Sequence, residues 1–417
     1  MGIRISFVVG ACLAGAILSG TLSGQEQGNW PEFRGLTANG HAPDADLPVE
    51  LSEQSAKWKS KVHGKGWSSP VVWEGKIWLT TATEDGRSMS VLCFDLESGD
   101  KIFDQVVFEN ETPARCHSLN SYASPTPVVA DGKVFIHFGK YGTACLDSAN
   151  CETIWERRDL ECNHFRGPAS SPILYEGKLF VAFDGFDLQY VVALDSETGE
   201  TVWKTDRDIE YKTDNGDRKK AYGTALIVEV DGKPLLVCPS AAATIAYDPE
   251  NGEPVWTAYH GGMNVSARPV VAETGILVIT NGMGKMIGVQ PDGSNDVTDS
   301  HIKWTTRSSV AKKSSPIVVD DLLYMVADDG VISCVEAESG RTLYRERIKD
   351  NFAASPIYAN NKIYFFGMGG KVVVLKPGRE YELISEANLG NGFMASPAVS
   401  GNSLILRSKT HLYSFQK

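Results

Sequence analysis

Apolar and polar positions alternate in short runs along nearly the whole chain, and each run is closed by Gly, Asp or Asn. The clearest example spans ASSPILYEGKLFVAFDG and VVALDSETGETVWK, residues 169–185 and 191–204. Period-two alternation, enrichment in Val, Leu and Phe, and turns at Glu176-Gly177, Asp184-Gly185 and Glu197-Thr198-Gly199 predict four short strands. They fall at 169–175, 178–183, 189–195 and 201–204, as an antiparallel meander.

The same unit recurs. Complete copies run from 67 to 103, 122 to 156 and 169 to 204. A weaker copy covers 223–257, and a drifted one starts at 266 and carries the insert PDGSNDVTDSH (291–301) before IKWTT. Two more fill 314–345 and 354–385, and a last one, 395–415, stops after three strands. Ala56-Lys57-Trp58-Lys59 matches the end of a unit with no unit before it. A ring explains both loose ends: the 56–61 strand completes the eighth blade and removes both free sheet edges. The expected architecture is therefore all-β, an eight-bladed β-propeller of four-stranded antiparallel blades closed by an N-terminal strand. The propeller spans 55–417, preceded by a segment at 25–54 (WPEFRGLTANGHAPDADLP at its centre) that wraps over the body.

The repeat reads SP-x₄-GK-(I/L)-(W/F/Y), then an apolar residue followed by D-x-x-(T/S)-G-x-x-x-W. It resembles the PQQ-like β-propeller repeat, found in quinoprotein alcohol dehydrogenases and in BamB-type outer-membrane assembly lipoproteins. For the dehydrogenases the resemblance implies pyrroloquinoline quinone (PQQ), calcium and an Asp base. For the BamB type it implies a scaffold that holds protein partners. Adjacent cysteines, which the resemblance implies over a quinone, do not occur, and the calcium ligands match no motif. Under that alternative, carboxylates such as Asp184, Asp187, Asp328 or Asp329 would have to serve.

Composition narrows the classes. With 417 residues, 42% of them hydrophobic, the chain can bury a large core. A net charge of −12 argues against nucleic-acid binding. Residues 1–24, with Arg4, an apolar run and a small-residue end, read as a cleavable secretory signal, so the expected location is periplasmic or secreted. Lipidation at Cys12 is disfavoured by the short apolar run before it. The mature chain contains no apolar stretch suited to a transmembrane helix, though association with a membrane is left open. Seven cysteines follow the signal. Cys93, Cys145 and Cys334 share one repeat position and read as buried, while a disulfide among the loop residues Cys116, Cys151 and Cys162 is left open.

Candidate chemistry sits where the repeat does not dictate the residue. Short turns between strands one and two, and three and four, lie on one face. The longer inter-blade connections lie on the other, and there cations and histidines gather: Arg115, His117, His164, Arg166 and Lys312, with Arg268 near the channel mouth. Aromatics mark the entries of the first strands: Trp67, Tyr122, Tyr222 and Phe352. On an acidic protein this set predicts a small anionic or planar ligand, or a protein partner, on the loop-rich face. The histidines lack metal-ligand spacing, so no metal site is assigned. Trp58, Trp155, Trp203, Trp256 and Trp304 occupy outermost strands and are expected to dock one blade on the next. Paired catalytic carboxylates, GxSxG and HExxH are absent, so hydrolysis is unsupported. The resulting expectation is an exported binding or scaffold module, with a PQQ-dependent dehydrogenase and a carbohydrate-binding propeller as alternatives.

Overall fold

The computed structural model describes residues 28–417; the signal segment and Cys12 lie outside the described residues. Eight antiparallel sheets stand around one axis, each with its first strand innermost. Blade three shows the pattern: Ile173–Tyr175, Lys178–Asp184, Gln189–Asp195 and Thr201–Asp206 pair in sequence order. Middle strands are buried on both faces and outer strands alternate, as sheets stacked around an axis require. The ring closes as the loose ends predict. Trp58–Lys61 pairs antiparallel with His411–Gln416, so Trp58 lies opposite Ser414 and the N-terminal strand becomes the outer strand of blade eight.

Residues 28–51 cross the axis from blades one and two to blades five, six and seven. Trp30 exchanges two backbone hydrogen bonds with Val72 on the open inner edge of blade one, and Val129 N of blade two donates to Pro31 O. Arg34 then reaches Pro316 O before blade six, and His41–Ala42 adds a parallel fifth strand to the inner edge of blade seven. From there the chain runs outward, with Leu47 O accepting from Tyr364 Oη and Val49 O from Ser385 Oγ. Inner edges present unpaired backbone, and this segment supplies partners for three of them.

The repeat motif resolves into a docking device between blades. Indole Nε1 of Trp58, Trp155, Trp203 and Trp304 donates to Leu96, Ser196, Pro249 and Ala337 carbonyls, each in the last turn of the next blade. That turn is held by its Asp: Asp195 Oδ1 accepts from Glu197 N and Thr198 N, which lowers its pKa and leaves it no role as a base. The turn glycine supports the indole from the other side. A Cβ on Gly199 would lie 2.6 Å from the Trp155 ring, and the φ of +73° disfavours any side chain there. Trp256 is the exception. It is buried, but its Nε1 has no partner, because the 291–301 insert replaces the matching turn of blade five and sends Asn295–Asp296 to pair with Trp256 and Thr257 as a fifth strand.

Gly199→Ala is therefore expected to cost about 2–4 kcal/mol, combining backbone strain with overpacking of the indole. Gly232→Ala, at a comparable φ of +77° with nothing within 4 Å, should cost only the strain, about 1 kcal/mol. Denaturant midpoints of the two variants check this; equal losses would remove the docking role of the turn glycine.

Candidate functional site

The residue that begins each innermost strand comes from the Ser-Pro position of the repeat. Its backbone N–H points around the axis, not along its own sheet, and it needs an acceptor from the neighbouring blade. Ser69 N donates to Thr126 Oγ1, Thr126 N to Ser171 Oγ, and Ser171 N to Thr224 Oγ1. After a break, Arg268 N donates to Ser315 Oγ, Ser315 N to Ser355 Oγ, Ser355 N to Ser396 Oγ and Ser396 N back to Ser69 Oγ, at 2.8–3.1 Å. Seven hydroxyls thus form a buried ring around the axis.

The break lies at blade five, where Arg268 stands in place of a hydroxyl residue. Its Nε donates to Ala225 O, and Nη1 donates to Glu32 Oε1 at 2.8 Å and to Phe33 O at 2.7 Å. Arg268 is thus the anchor of the axial segment and is spent on it. Burial pushes the Glu32 pKa up, and Arg268 opposes that shift. Arg34 is buried with two backbone acceptors and no carboxylate, and burial, reinforced by Arg268, pushes it down to about 9.

Above this plug lies a cavity of about 110 Å³. Phe33 and six ring residues line it, and the next layer up contributes one residue per blade, including Trp67, Tyr222 and Lys313. A larger open hollow, about 280 Å³, lies off the axis on the outer edges of blades three and four, beside Asp206, Asp208 and Tyr259. It gathers few of the side chains that the repeat leaves free, so the axial cavity is the better candidate.

The register sorts the expected residues. Trp67 and Tyr222 line the cavity. Tyr122 is two residues early and buried, with its hydroxyl donating to Ala114 O, and Phe352 is one residue early and packed among blades six and seven; neither lines the axis. Lys312 is exposed, and its neighbour Lys313 lines the cavity, paired with Asp328 at 2.6 Å. His164 is held below the rim, where its Nε2 accepts from Lys140 N and burial pushes its pKa down to about 4, so it is neutral and not an anion ligand. Arg115, His117 and Arg166 do come together at the rim. Arg166 pairs with Asp217 at 2.8 Å, and the buried Lys220 pairs with the same carboxylate. Burial lowers the His117 pKa, helped by Arg166, Arg115, Lys220 and Lys65, so five basic groups share one side of the mouth. Beside them Leu119, Phe165, Phe186 and Leu188 are exposed, with the two phenyl rings 5.2 Å apart.

The seven cysteines among the described residues are free thiols, so no disulfide joins Cys116, Cys151 or Cys162. PQQ and calcium do not fit. The axial hollow, about 110 Å³ and open above, is smaller than the roughly 150 Å³ cavity that holds a single benzene ring. Asp184 is locked in a buried bidentate pair with Arg207, Asp328 is taken by Lys313, and no cluster among the described residues could hold a metal.

Residues 49–241 and 241–412 match the family described as outer membrane protein assembly factor BamB. The chain belongs to that family. A curated member, BamB of Yersinia pestis, is 27% identical over 179 residues, 42% of this chain and 43% of that protein, so the chain spans less than half of that relative's length. The crystal structure of BamB from Moraxella catarrhalis superposes with a TM-score of 0.61 at 14% identity, covering 86% of this chain and 98% of that one. A europium-containing methanol dehydrogenase superposes with a TM-score of 0.71 at 11% identity, covering 94% and 99%. At such identities the two superpositions by themselves show a shared fold alone.

Two histidines buried between strands set an acid limit. His137 Nδ1 faces Thr143 Oγ1 and His260 Nε2 faces Thr244 Oγ1, and burial pushes them down to about 3 and about 4. A depressed folded pKa contributes stability that is present above the unfolded value near 6.5 and lost as pH falls through the folded value. The thermal midpoint should therefore drop between about pH 6.5 and 4, and His260→Gln should flatten that slope. An unchanged slope in the variant would exclude His260 as a contributor.

Proposed function

We propose that this chain is an exported scaffold of the envelope that docks a protein partner on its loop-rich face, as a component of outer-membrane protein assembly. The observation that carries the reading is the composition of the rim between blades one and four. Leu119, Phe165, Phe186 and Leu188 are exposed beside Arg115, His117 and Arg166. Exposed aromatics next to arginine are the residues that dominate protein interfaces, and a cationic rim on a chain of net charge −12 favours an acidic partner surface. Arg166 and Lys220 also sit 5.7 and 5.0 Å from the Phe165 ring, which holds that aromatic upright. Export itself rests on the N-terminal signal pattern, and among the described residues no helix is long and apolar enough to cross a membrane.

The dehydrogenase alternative loses its support at the axis, where Phe33 and Arg268 occupy the space and the charge that a quinone would use. The carbohydrate alternative has the outer hollow beside Tyr259 and nothing further in its favour.

Phe165→Asp combined with Leu188→Asp should abolish recovery of an envelope partner by the tagged full-length chain, while Ile154→Asp, exposed on the outer strand of blade two, should leave it intact. Arg166→Glu should weaken recovery in a salt-dependent way. Recovery of the same partner by the double variant, folded by circular dichroism, would refute docking at this rim.

A further inference from the structure

The ring hydroxyls carry an unspent capacity. A serine or threonine hydroxyl offers one donor and two acceptor lone pairs. Each of the seven accepts a backbone N–H from the neighbouring blade, and none has an acceptor for its own proton among the described residues. Six of them line the axial cavity and are only 2–6% exposed. A buried donor without an acceptor costs about 1–3 kcal/mol, and several in one wall describe a surface suited to water or to a ligand rich in acceptors.

Charge around the cavity points the same way. Arg268 and Arg34 lie below the ring with Glu32 as the sole carboxylate between them, leaving one buried cation without a counter-charge. Above the ring Lys313 lines the wall, paired on one side with Asp328 at 2.6 Å, and Trp67 Nε1 is a further buried donor without a partner. At the mouth, Lys65, Arg115, Arg166 and Lys220 face a single carboxylate, Asp217. The innermost part of the hollow, about 110 Å³, is large enough for one tetrahedral oxyanion.

We propose that the axis of this propeller binds a small free oxyanion of the phosphate or sulfate type, held by ring hydroxyls and Lys313 and admitted through the cationic mouth. Some hydroxyls contact the anion directly and the others reach it through water. The anion would supply the acceptors that the ring lacks. The site stands independently of protein docking at the rim, since none of its wall residues belongs to the exposed aromatic group.

The test uses the full-length chain and inorganic phosphate. Titration at constant ionic strength should give a saturable rise in thermal midpoint and saturable broadening of the phosphate ³¹P resonance, reversed by sulfate and unaffected by chloride. Lys313→Gln should weaken the apparent affinity about tenfold, the loss of one charge-assisted contact. Lys312→Gln, its solvent-facing neighbour, should leave it unchanged. If Lys313→Gln does not fold, the ³¹P competition on the unaltered protein decides alone. Equal effects of phosphate and chloride on the unaltered protein, or equal affinity in the two lysine variants, would overturn the proposal and leave an axis filled by water.

Discussion

Eight wedge-shaped sheets can close into a ring only if every innermost strand finds partners on its open side, and the circle of hydroxyls is what supplies them. Each link joins a backbone N–H of one blade to a side-chain oxygen of the next, so a blade away from the break at blade five cannot shift radially without breaking two links. A net worth of about 1 kcal/mol per hydrogen bond understates the effect, because a broken link also strands a buried N–H. The Ser-Pro dipeptide fits this place for two reasons. Serine provides the acceptor, while proline fixes φ at the first position of the strand and needs no donor on the crowded inner edge.

A second circle works at the perimeter, where indoles from outer strands lie on the last turn of the following blade. The two circles divide the labour: the inner one sets angular spacing with directional hydrogen bonds, and the outer one fills the widening gap with apolar area. The inner circle is broken once, and one of the five outer tryptophans fails to dock; each failure has a visible cause. Arg268 replaces a hydroxyl residue in the inner circle and ties the N-terminal segment across the axis. Trp256 lacks its carbonyl in the outer circle because the insert of blade five has displaced the turn. Deviations from the repeat therefore mark added segments, and these alter what each region of the propeller can bind.

The fold was legible because it rests on residues that recur at a fixed spacing. Asp195, Gly199 and Trp203 return unit after unit, and the orphan strand around Trp58 could be matched to the truncated last unit by complementarity alone. The axial site was less legible, since it depends on register to a single residue. Tyr122 and Phe352 look equivalent to Trp67 along the sequence, yet an offset of one or two residues in a short strand turns them away from the axis. Lys312 and Lys313 differ by the same single step. The ring itself was visible as the serine of the Ser-Pro motif, but its tangential bonding appears only when neighbouring blades are side by side. Arg268 is the instructive failure: a cation near the channel mouth suggests a ligand, and its ligand turned out to be Glu32 of the same chain.

That internal ligand explains how one architecture separates into different chemistries. A propeller axis that stays open can accept a planar cofactor, with ring residues facing it and loops closing above. Here Phe33 stands on the axis, held by Arg268 through its own carbonyl and through Glu32, and the hydroxyls remain as the floor wall of a much smaller space. Once the axis is blind, the side chains outside the repeat have two remaining places to act: the small cavity and the rim around its mouth. Under the two proposals cations would serve both, since a positive field focused at the mouth would draw a small anion inward and an acidic surface onto the rim. The exposed aromatics serve only the second. Removing Phe33 alone would not restore a quinone site, because the Arg268–Glu32 pair would still hold the backbone of the plug across the channel.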